Sequence, residues 1–322
     1  MYTIREMVRI AKMYYELGMT QIEIAKQENL SRPTVSRILD AALKEGIVTF
    51  VIKYPAESVS DLAEELKEMF GIPNVFVSPV YVNDLSMILN DIGKAISNHL
   101  ATIVRDGDVI GISWGETLAH IAANLQEMPR RDVKVVQMNG AVSAASLSSG
   151  AMTILEQFSK AFSGQSYMLS VPAIVDSEHI ANAIKTDSSI RDVMNLGKQA
   201  NIAVFGIGRA SYESVLFRAG YFDEANYDEL LGSGAVGDIC SRYYNIDGRL
   251  VDRKLNRRTI GIELEEMSSK AHSIAVACGE QKAEAIIGAL NGKFFNTLFT
   301  DEITAKKIIA IEKQIHRRRK TI

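Results

Sequence analysis

Thr20-Gln21-Ile22-Glu23-Ile24-Ala25-Lys26-Gln27-Glu28-Asn29-Leu30-Ser31-Arg32-Pro33-Thr34-Val35-Ser36-Arg37-Ile38-Leu39 is the stretch on which the reading of this chain turns. Its spacing predicts two short helices crossed around a tight turn, the second shaped to lie in a DNA major groove. Ala25 supplies the small residue required where the helices nearly touch. Asn29 falls at the turn, and after glycine asparagine best tolerates the left-handed backbone region. Ile24, Leu30, Val35 and Ile38 fall where the inner faces must meet. Ser31 is a good N-cap, and Pro33 is tolerated because first-turn amides have no helical partner. On a helical wheel Val35, Ile38, Leu39 and Ala42 share the inner face. Pro33, Arg37 and Lys44 lie opposite, with Thr34 and Ser36 on the flanks. Gln21, Ser31, Arg32, Pro33, Thr34, Ser36 and Arg37 are therefore the candidate DNA-contacting set, since such side chains suit guanine edges, phosphates and thymine methyls.

Upstream, Ile4, Met7, Val8, Ile10, Ala11, Tyr14 and Tyr15 recur at helical spacing up to Gly18. Downstream, Gly46 ends the reading helix and Ile47-Val48-Thr49-Phe50-Val51-Ile52 reads as a strand, the addition that a winged variant would make. The charge is graded along the chain. The 322 residues are formally −3 in total, residues 1–54 are +2, and the remainder is −5. A positive N-terminal end favours phosphate backbones of any sequence, although an asymmetry this mild is only supportive.

The expected organisation is a helix-turn-helix domain at 1–54, a linker helix at 55–73, an effector-binding and oligomerisation domain at 74–315, and a basic tail at 316–322. From residue 74 short continuous apolar runs alternate with amphipathic stretches. The runs are 75–77, 109–112, 133–138, 202–205 and 274–277; the helical stretches are 86–104, 117–125, 151–163 and 281–290. Strands apolar throughout are covered on both faces, so the fold class is α/β, a doubly wound and mostly parallel sheet behind a small helical head.

Composition narrows the function. No apolar run approaches the ~20 residues needed to cross a bilayer. Arg5, Glu6, Arg9 and Lys12 interrupt the first apolar pattern and argue against a signal peptide. The two cysteines, Cys240 and Cys278, lack close metal-ligand companions and read as reduced thiols in a cytoplasmic protein. No metal site and no cofactor is expected. The run His316-Arg317-Arg318-Arg319-Lys320 reads as a solvated end.

In the larger domain, Val109 to Leu118 reads as a strand entering a helix through Ser113-Trp114-Gly115-Glu116-Thr117. Exposed amides at a helix N-terminus, helped by hydroxyls, make an anion cradle. The same letters fit Gly-x-Ser-x-Gly, a nucleophile elbow with Ser113 as nucleophile, which would need a later carboxylate and histidine such as Asp238 and His272. Three further glycine-marked loops are expected after strands: Asn139-Gly140-Ala141, Gly206-Ile207-Gly208 and Gly232 to Asp238. Asp238 is suited to accepting hydrogen bonds from sugar hydroxyls. Lys282, at the start of a helix, would place an ammonium at the ligand edge. The candidate effector-binding set is Ser113, Trp114, Gly115, Glu116, Thr117, Gly140, Gly206, Gly208, Asp238 and Lys282. One carboxylate and one amine without a paired acid and base look more like binding than catalysis. The alternative is a sugar-phosphate isomerase-like or serine hydrolase enzyme fused to a DNA-binding head.

Several motifs in order, Met19 to Gln21, Ser31 to Arg37, Gly111 to Thr117, Gly234 to Ile239, Gly279 to Ala289 and Thr300 to Glu302, make the chain resemble the SorC family of sugar-responsive bacterial transcription regulators over nearly its full length. The resemblance implies an effector domain akin to sugar-phosphate isomerases without their catalysis. It also implies homotetramers on palindromic operators, and effectors that are phosphosugars or free polyols. The Gly111–Thr117 loop would hold a phosphate or terminal hydroxyl, and Asp238 and Lys282 the sugar. Cys278 departs from the glycine of many relatives. The stretch Gly140–Ser149 has no lysine for a Schiff base.

Overall fold

The computed structural model describes residues 2–50, 59–144, 147–148 and 150–321. Contacts divide the chain into two units, Met1–Pro55 and Ala56–Ile322.

The first unit holds α1 (Ile4–Ala11), which continues as a π-helical turn over Lys12–Glu16, then α2 (Gln21–Gln27) and α3 (Arg32–Lys44). Local chemistry starts each helix. Thr3 with Glu6 and Thr20 with Glu23 form capping boxes, while Ser31 Oγ accepts the Thr34 N–H at 3.2 Å. Asn29 takes the left-handed conformation, φ 54°, and the Leu30 N–H donates to the Ala25 carbonyl at 2.8 Å, closing the turn. Ile24, Ala25, Val35, Ile38, Leu39 and Ala42 are buried with Met7, Ile10, Ala11 and Met13. Two expectations change. Ile4 and Val8 are exposed because they lie off the buried Met7-Ile10-Ala11 face of α1, and in the π turn that follows Met13 is buried while Tyr15 is exposed. Residues 47–50 form no strand; Val51 and Ile52 of the expected wing lie outside the described residues.

The second unit is built on seven parallel strands: β1 (Asn74–Ser78), β2 (Val109–Ile112), β3 (Lys134–Gln137), β6 (Gln165–Tyr167), β7 (Ile202–Gly206), β11 (His272–Val276) and β12 (Thr297–Asp301), in the order β1-β12-β11-β7-β2-β3-β6. A short hairpin, β4 (Ser143–Ala144) with β5 (Leu147–Ser148), and an antiparallel sheet of β8 (Gly208–Arg209), β9 (Ala235–Ile239) and β10 (Arg242–Asn245) complete the strands. The helices are α4 (Ser60–Phe70), α5 (Leu85–Ile103), α6 (Glu116–Ala123), α7 (Ala151–Phe162), α8 (Glu178–Thr186), α9 (Ser188–Gln199), α10 (Val215–Arg218), α11 (Glu224–Gly232), α12 (Arg253–Arg258), α13 (Leu264–Ser268), α14 (Ala283–Asn291) and α15 (Glu302–Thr321).

Alternate residues of the central strands β7 and β11 enter different cores. Ile202, Val204, Ile274 and Val276 pack with Ile92, Ile121 and Phe158 of α5, α6 and α7. Ala203, Phe205 and Ala275 pack with Leu66, Ile287 and Ile308 of α4, α14 and α15. A sheet covered on both faces buries successive residues of its central strands, which is why Ile202 to Phe205 and Ile274 to Val276 are apolar without alternation.

Three parts of the fold differ from the sequence reading. The 55–73 segment was expected to link two bodies, yet its helix α4 buries Leu66 and packs on β1 and α15. Of the Gly232–Asp238 segment, expected as a loop, Gly232 ends α11 and Ala235 to Asp238 enter strand β9. Gly237 serves close packing: a Cβ there would lie 2.7 Å from the Gly208 carbonyl and 2.5 Å from the Ala285 side chain. Finally, the basic run from His316 to Lys320 belongs to α15.

Candidate functional sites: a reading helix and an effector cavity

In the first unit α3 presents the expected face. Ser31, Arg32, Pro33 and Arg37 are exposed, and Gln21, Thr34 and Ser36 are half-buried. The Ser31 and Thr34 hydroxyls lie 2.8 Å apart and are engaged with each other, so their first task is the cap. Arg32 and Arg37 have no carboxylate within salt-bridge distance among the described residues. Their guanidinium forks are free to approach an anion or a base edge.

In the second unit the chain leaves β2 toward β3 on one side and returns to β7 on the other. Loops after two such neighbouring strands diverge and open a crevice at the carboxyl edge of the sheet. A cavity of about 320 Å³ lies there, lined by the 113–118 and 206–216 segments together with Asn139, Asp238, Cys240, Ser241, Gln281 and Lys282. Of the expected residues, Ser113, Trp114, Gly115, Glu116, Thr117, Gly206, Gly208, Asp238 and Lys282 line it. Gly140 does not. It stands behind Trp114, whose Nε1–H donates to the Gly140 carbonyl at 2.7 Å. A side chain at 140 would collide with the Pro172 carbonyl, 2.3 Å from a Cβ there. That glycine serves close backbone approach rather than a ligand.

Asn139, Arg209, Ser211, Glu213, Ser214 and Ser241 are lining residues that sequence reasoning missed. The Gly206–Gly208 pair signalled a strand end, but nothing local says that the following chain folds back over the crevice.

The walls differ chemically. On one side α6 begins at Gly115 with no side-chain cap, leaving first-turn amides open toward the cavity, and Glu116 is exposed at its rim. On the other sits Asp238, so close to β8 that a Cβ at Gly208 would lie 2.0 Å from its Oδ1. Burial pushes its carboxyl up to about 6, against the lowering pull of the Ser241 N–H bond and of Lys282. Lys282 sits in the 3-10 turn before α14 and has no carboxylate within salt-bridge distance among the described residues. Burial holds the thiols far above neutrality, Cys240 at about 12 and Cys278 at about 11, and both are free. Thiols so raised are not nucleophiles at neutral pH.

The nucleophile-elbow reading fails on geometry. Ser113 is buried, and its Oγ accepts the Gly206 N–H at 3.3 Å. His272 opens β11 level with Ile202, which is level with Ile110. It therefore lies at the amino edge of the sheet, roughly 10 Å further down than Ser113 at about 3.3 Å per residue. A fluorophosphonate probe is expected to leave the protein unlabelled; stoichiometric labelling that disappears in Ser113→Ala would restore a serine nucleophile.

Comparison with known proteins agrees with this arrangement. A family model described as "Putative sugar-binding domain" matches residues 54–310, and one described as "Winged helix-turn-helix DNA-binding" matches residues 18–49. The chain is 36% identical to the deoxyribonucleoside regulator of Bacillus subtilis (strain 168), with 94% of this chain and 96% of that protein covered. It is 31% identical to the sorbitol operon regulator of Klebsiella pneumoniae, covering 95% and 98%. The crystal structure of that full-length regulator, SorC, superposes with a TM-score of 0.77 over 96% of this chain and 99% of that one.

A helix-turn-helix reader joined to a sugar-binding α/β domain defines an effector-responsive transcription regulator, not an enzyme. The chain belongs to the SorC family of sugar-responsive bacterial transcription regulators.

Proposed function

We propose that this regulator works in the cytoplasm as a homotetramer on a palindromic operator beside carbohydrate-utilisation genes, and that a phosphosugar or polyol in the cavity at the β2/β7 switch point sets its DNA affinity. The observation that carries the reading is the pairing of an uncapped α6 N-terminus with Asp238 and Lys282 around one cavity. Open amides and an ammonium suit a phosphate, and a carboxylate suits hydroxyls. Two-fold symmetry in the protein would be mirrored in the operator. The coupling is linkage: an effector changes operator affinity only by the difference in its own affinity for the two arrangements of the assembly.

The test is a gel-shift titration at fixed salt with and without each candidate effector. A shift in operator affinity is expected with at least one pentose or hexose phosphate or polyol, and no shift with any of them removes the effector role. Arg37→Ala should weaken operator binding by roughly 1–3 kcal/mol, the usual worth of one base-reading arginine, with folding spared. Unchanged binding would exclude Arg37 from the reading set.

A further inference from the structure

A second recess, of about 620 Å³, lies apart from the cavity at the carboxyl edge of the sheet. Three arginines line it, Arg249, Arg253 and Arg257, and Glu265 is the only carboxylate among its lining residues. The two hollows share no lining residue. Helix α14 stands between them: Lys282 precedes its first turn, whereas Gly248 of the recess packs against Gly292, just past its last. Its length, at 1.5 Å per residue, separates those ends by roughly 13 Å. All three arginines are exposed. Arg253 and Arg257 stand one turn apart on α12, where like charges repel. Arg257 spends one donor on Glu178, its Nε–H lying 2.7 Å from Oε2. Arg249 and Arg253 have no carboxylate within salt-bridge distance among the described residues.

The backbone that carries these side chains is fixed. Gly248 has φ 76°, and a Cβ there would lie 2.2 Å from the Gly292 nitrogen. Only glycine lets this loop lie so close to α14. The Arg249 N–H donates to Asn245 Oδ1 at 2.9 Å, and its carbonyl accepts the Asn245 N–H at 3.0 Å. At the start of α12, Asp252 Oδ1 accepts the N–H groups of Lys254 and Leu255 at 2.8 and 3.0 Å. Leu255 anchors the helix in the core. The Asn256 carbonyl accepts Nη1–H of the buried Arg242 at 3.1 Å. An anion entering the recess has only side-chain rotamers to order, which keeps the entropic cost of binding small.

We propose that this recess is a second anion site, which takes the diphosphate group of a small metabolite. The inference goes beyond the effector reading and does not depend on it. A planar guanidinium presents parallel N–H groups that match one phosphoryl group. Arg249 comes from the loop after β10 and Arg253 from α12, so their forks address a ligand from two segments. Two linked phosphoryl groups give each fork its own partner, and the remaining donors of Arg257 add a third contact. The anion also relieves the repulsion between Arg253 and Arg257. The volume is ample for a nucleotide-sized ligand.

The experiment is calorimetric titration of the full chain with pyrophosphate, ADP and inorganic phosphate at fixed ionic strength, each protein also being melted with and without pyrophosphate. The variants are Arg249→Gln, Arg253→Gln, Lys254→Gln and Lys282→Ala. Pyrophosphate and ADP should bind wild type at least tenfold more tightly than inorganic phosphate, and pyrophosphate should raise its melting temperature. Both arginine variants should lose tenfold or more in pyrophosphate affinity. Lys254 is exposed on the same helix but does not line the recess, so Lys254→Gln removes the same charge and should change affinity less than twofold. Lys282→Ala should leave pyrophosphate binding in place. Should Arg253→Gln melt below wild type without ligand, Arg249→Gln, on a separate segment, carries the test. The site is overturned if neither pyrophosphate nor ADP binds, or if inorganic phosphate binds as tightly as they do. An equal loss in Lys254→Gln also overturns it, by showing diffuse charge attraction alone. So does pyrophosphate binding that vanishes in Lys282→Ala and survives in both arginine variants, which would place the anion at the carboxyl edge.

Discussion

Arg242→Ala should unfold the larger unit at a markedly lower temperature than wild type. Arg242 is the largest fully buried side chain of the described residues. Its Nε–H donates to the Ile262 carbonyl at 2.6 Å, Nη2 to the Gly261 carbonyl at 2.9 Å and Glu263 Oε1 at 2.8 Å, and Nη1 to the Asn256 carbonyl at 3.1 Å and side-chain oxygen. These bonds fix the 256–263 segment, which in turn supports the wall of the cavity at the carboxyl edge of the sheet: Gly261 bridges to Asn139, and the Ile262 N–H donates to the Met138 carbonyl at 2.9 Å. Truncation leaves buried carbonyls without donors and a void. The loss is about 3–5 kcal/mol, as for breaking other buried charge networks, or roughly 10 °C in melting temperature for a unit of this size. Arg242→Lys keeps the charge but not the planar fork, so it should fall between wild type and Ala. Melting followed by circular dichroism decides; an Ala variant within a degree of wild type would show that the network contributes nothing net.

Lys282→Ala and Asp238→Asn should separate the two ligand classes. If the effector is phosphorylated, Lys282→Ala should weaken it by about 1.5–3 kcal/mol, the usual worth of a hydrogen bond to a charged group. Asp238→Asn should act through hydroxyls and matter equally for a free polyol, which should depend little on Lys282. Trp114 is the only tryptophan and lines the cavity, so its fluorescence should report binding without a label. Normal affinity in both variants would place the ligand elsewhere. The pH dependence follows from burial. The Asp238 carboxyl is raised to about 6 in the folded state, so the native protein binds a proton more tightly than the unfolded chain does. The group therefore favours folding most at low pH, and that contribution is lost as pH rises through about 6. In the ligand-free protein Asp238→Asn should raise the melting temperature above pH 7 and have little effect below pH 4. Polyol binding, which uses the ionised carboxylate as acceptor, should weaken below about pH 6 in wild type but not in Asp238→Asn.

The head was readable in detail because everything that makes it is local. Its caps, its left-handed Asn29 and its helical stripes lie within a few residues of what they control. The same local grammar missed the π turn over Lys12–Glu16, where Met13 is buried and Tyr15 exposed. In the larger unit the order of apolar runs by itself determined a parallel sheet covered on both faces, since no other arrangement buries such strands. Several motif residues, Ser113 to Thr117, Asp238 and Lys282 among them, were visible as loop chemistry before any fold was known. What only the tertiary structure decided is which of them meet. Strand order placed the β2 and β7 loops at one switch point, moved His272 to the opposite edge, and set Gly140 behind Trp114. It also brought Asn139 and Ser241, about a hundred residues apart, into one cavity. Convergence of that kind arises from long-range strand pairing and backbone approach, which leave no periodic trace in the residues that result from them.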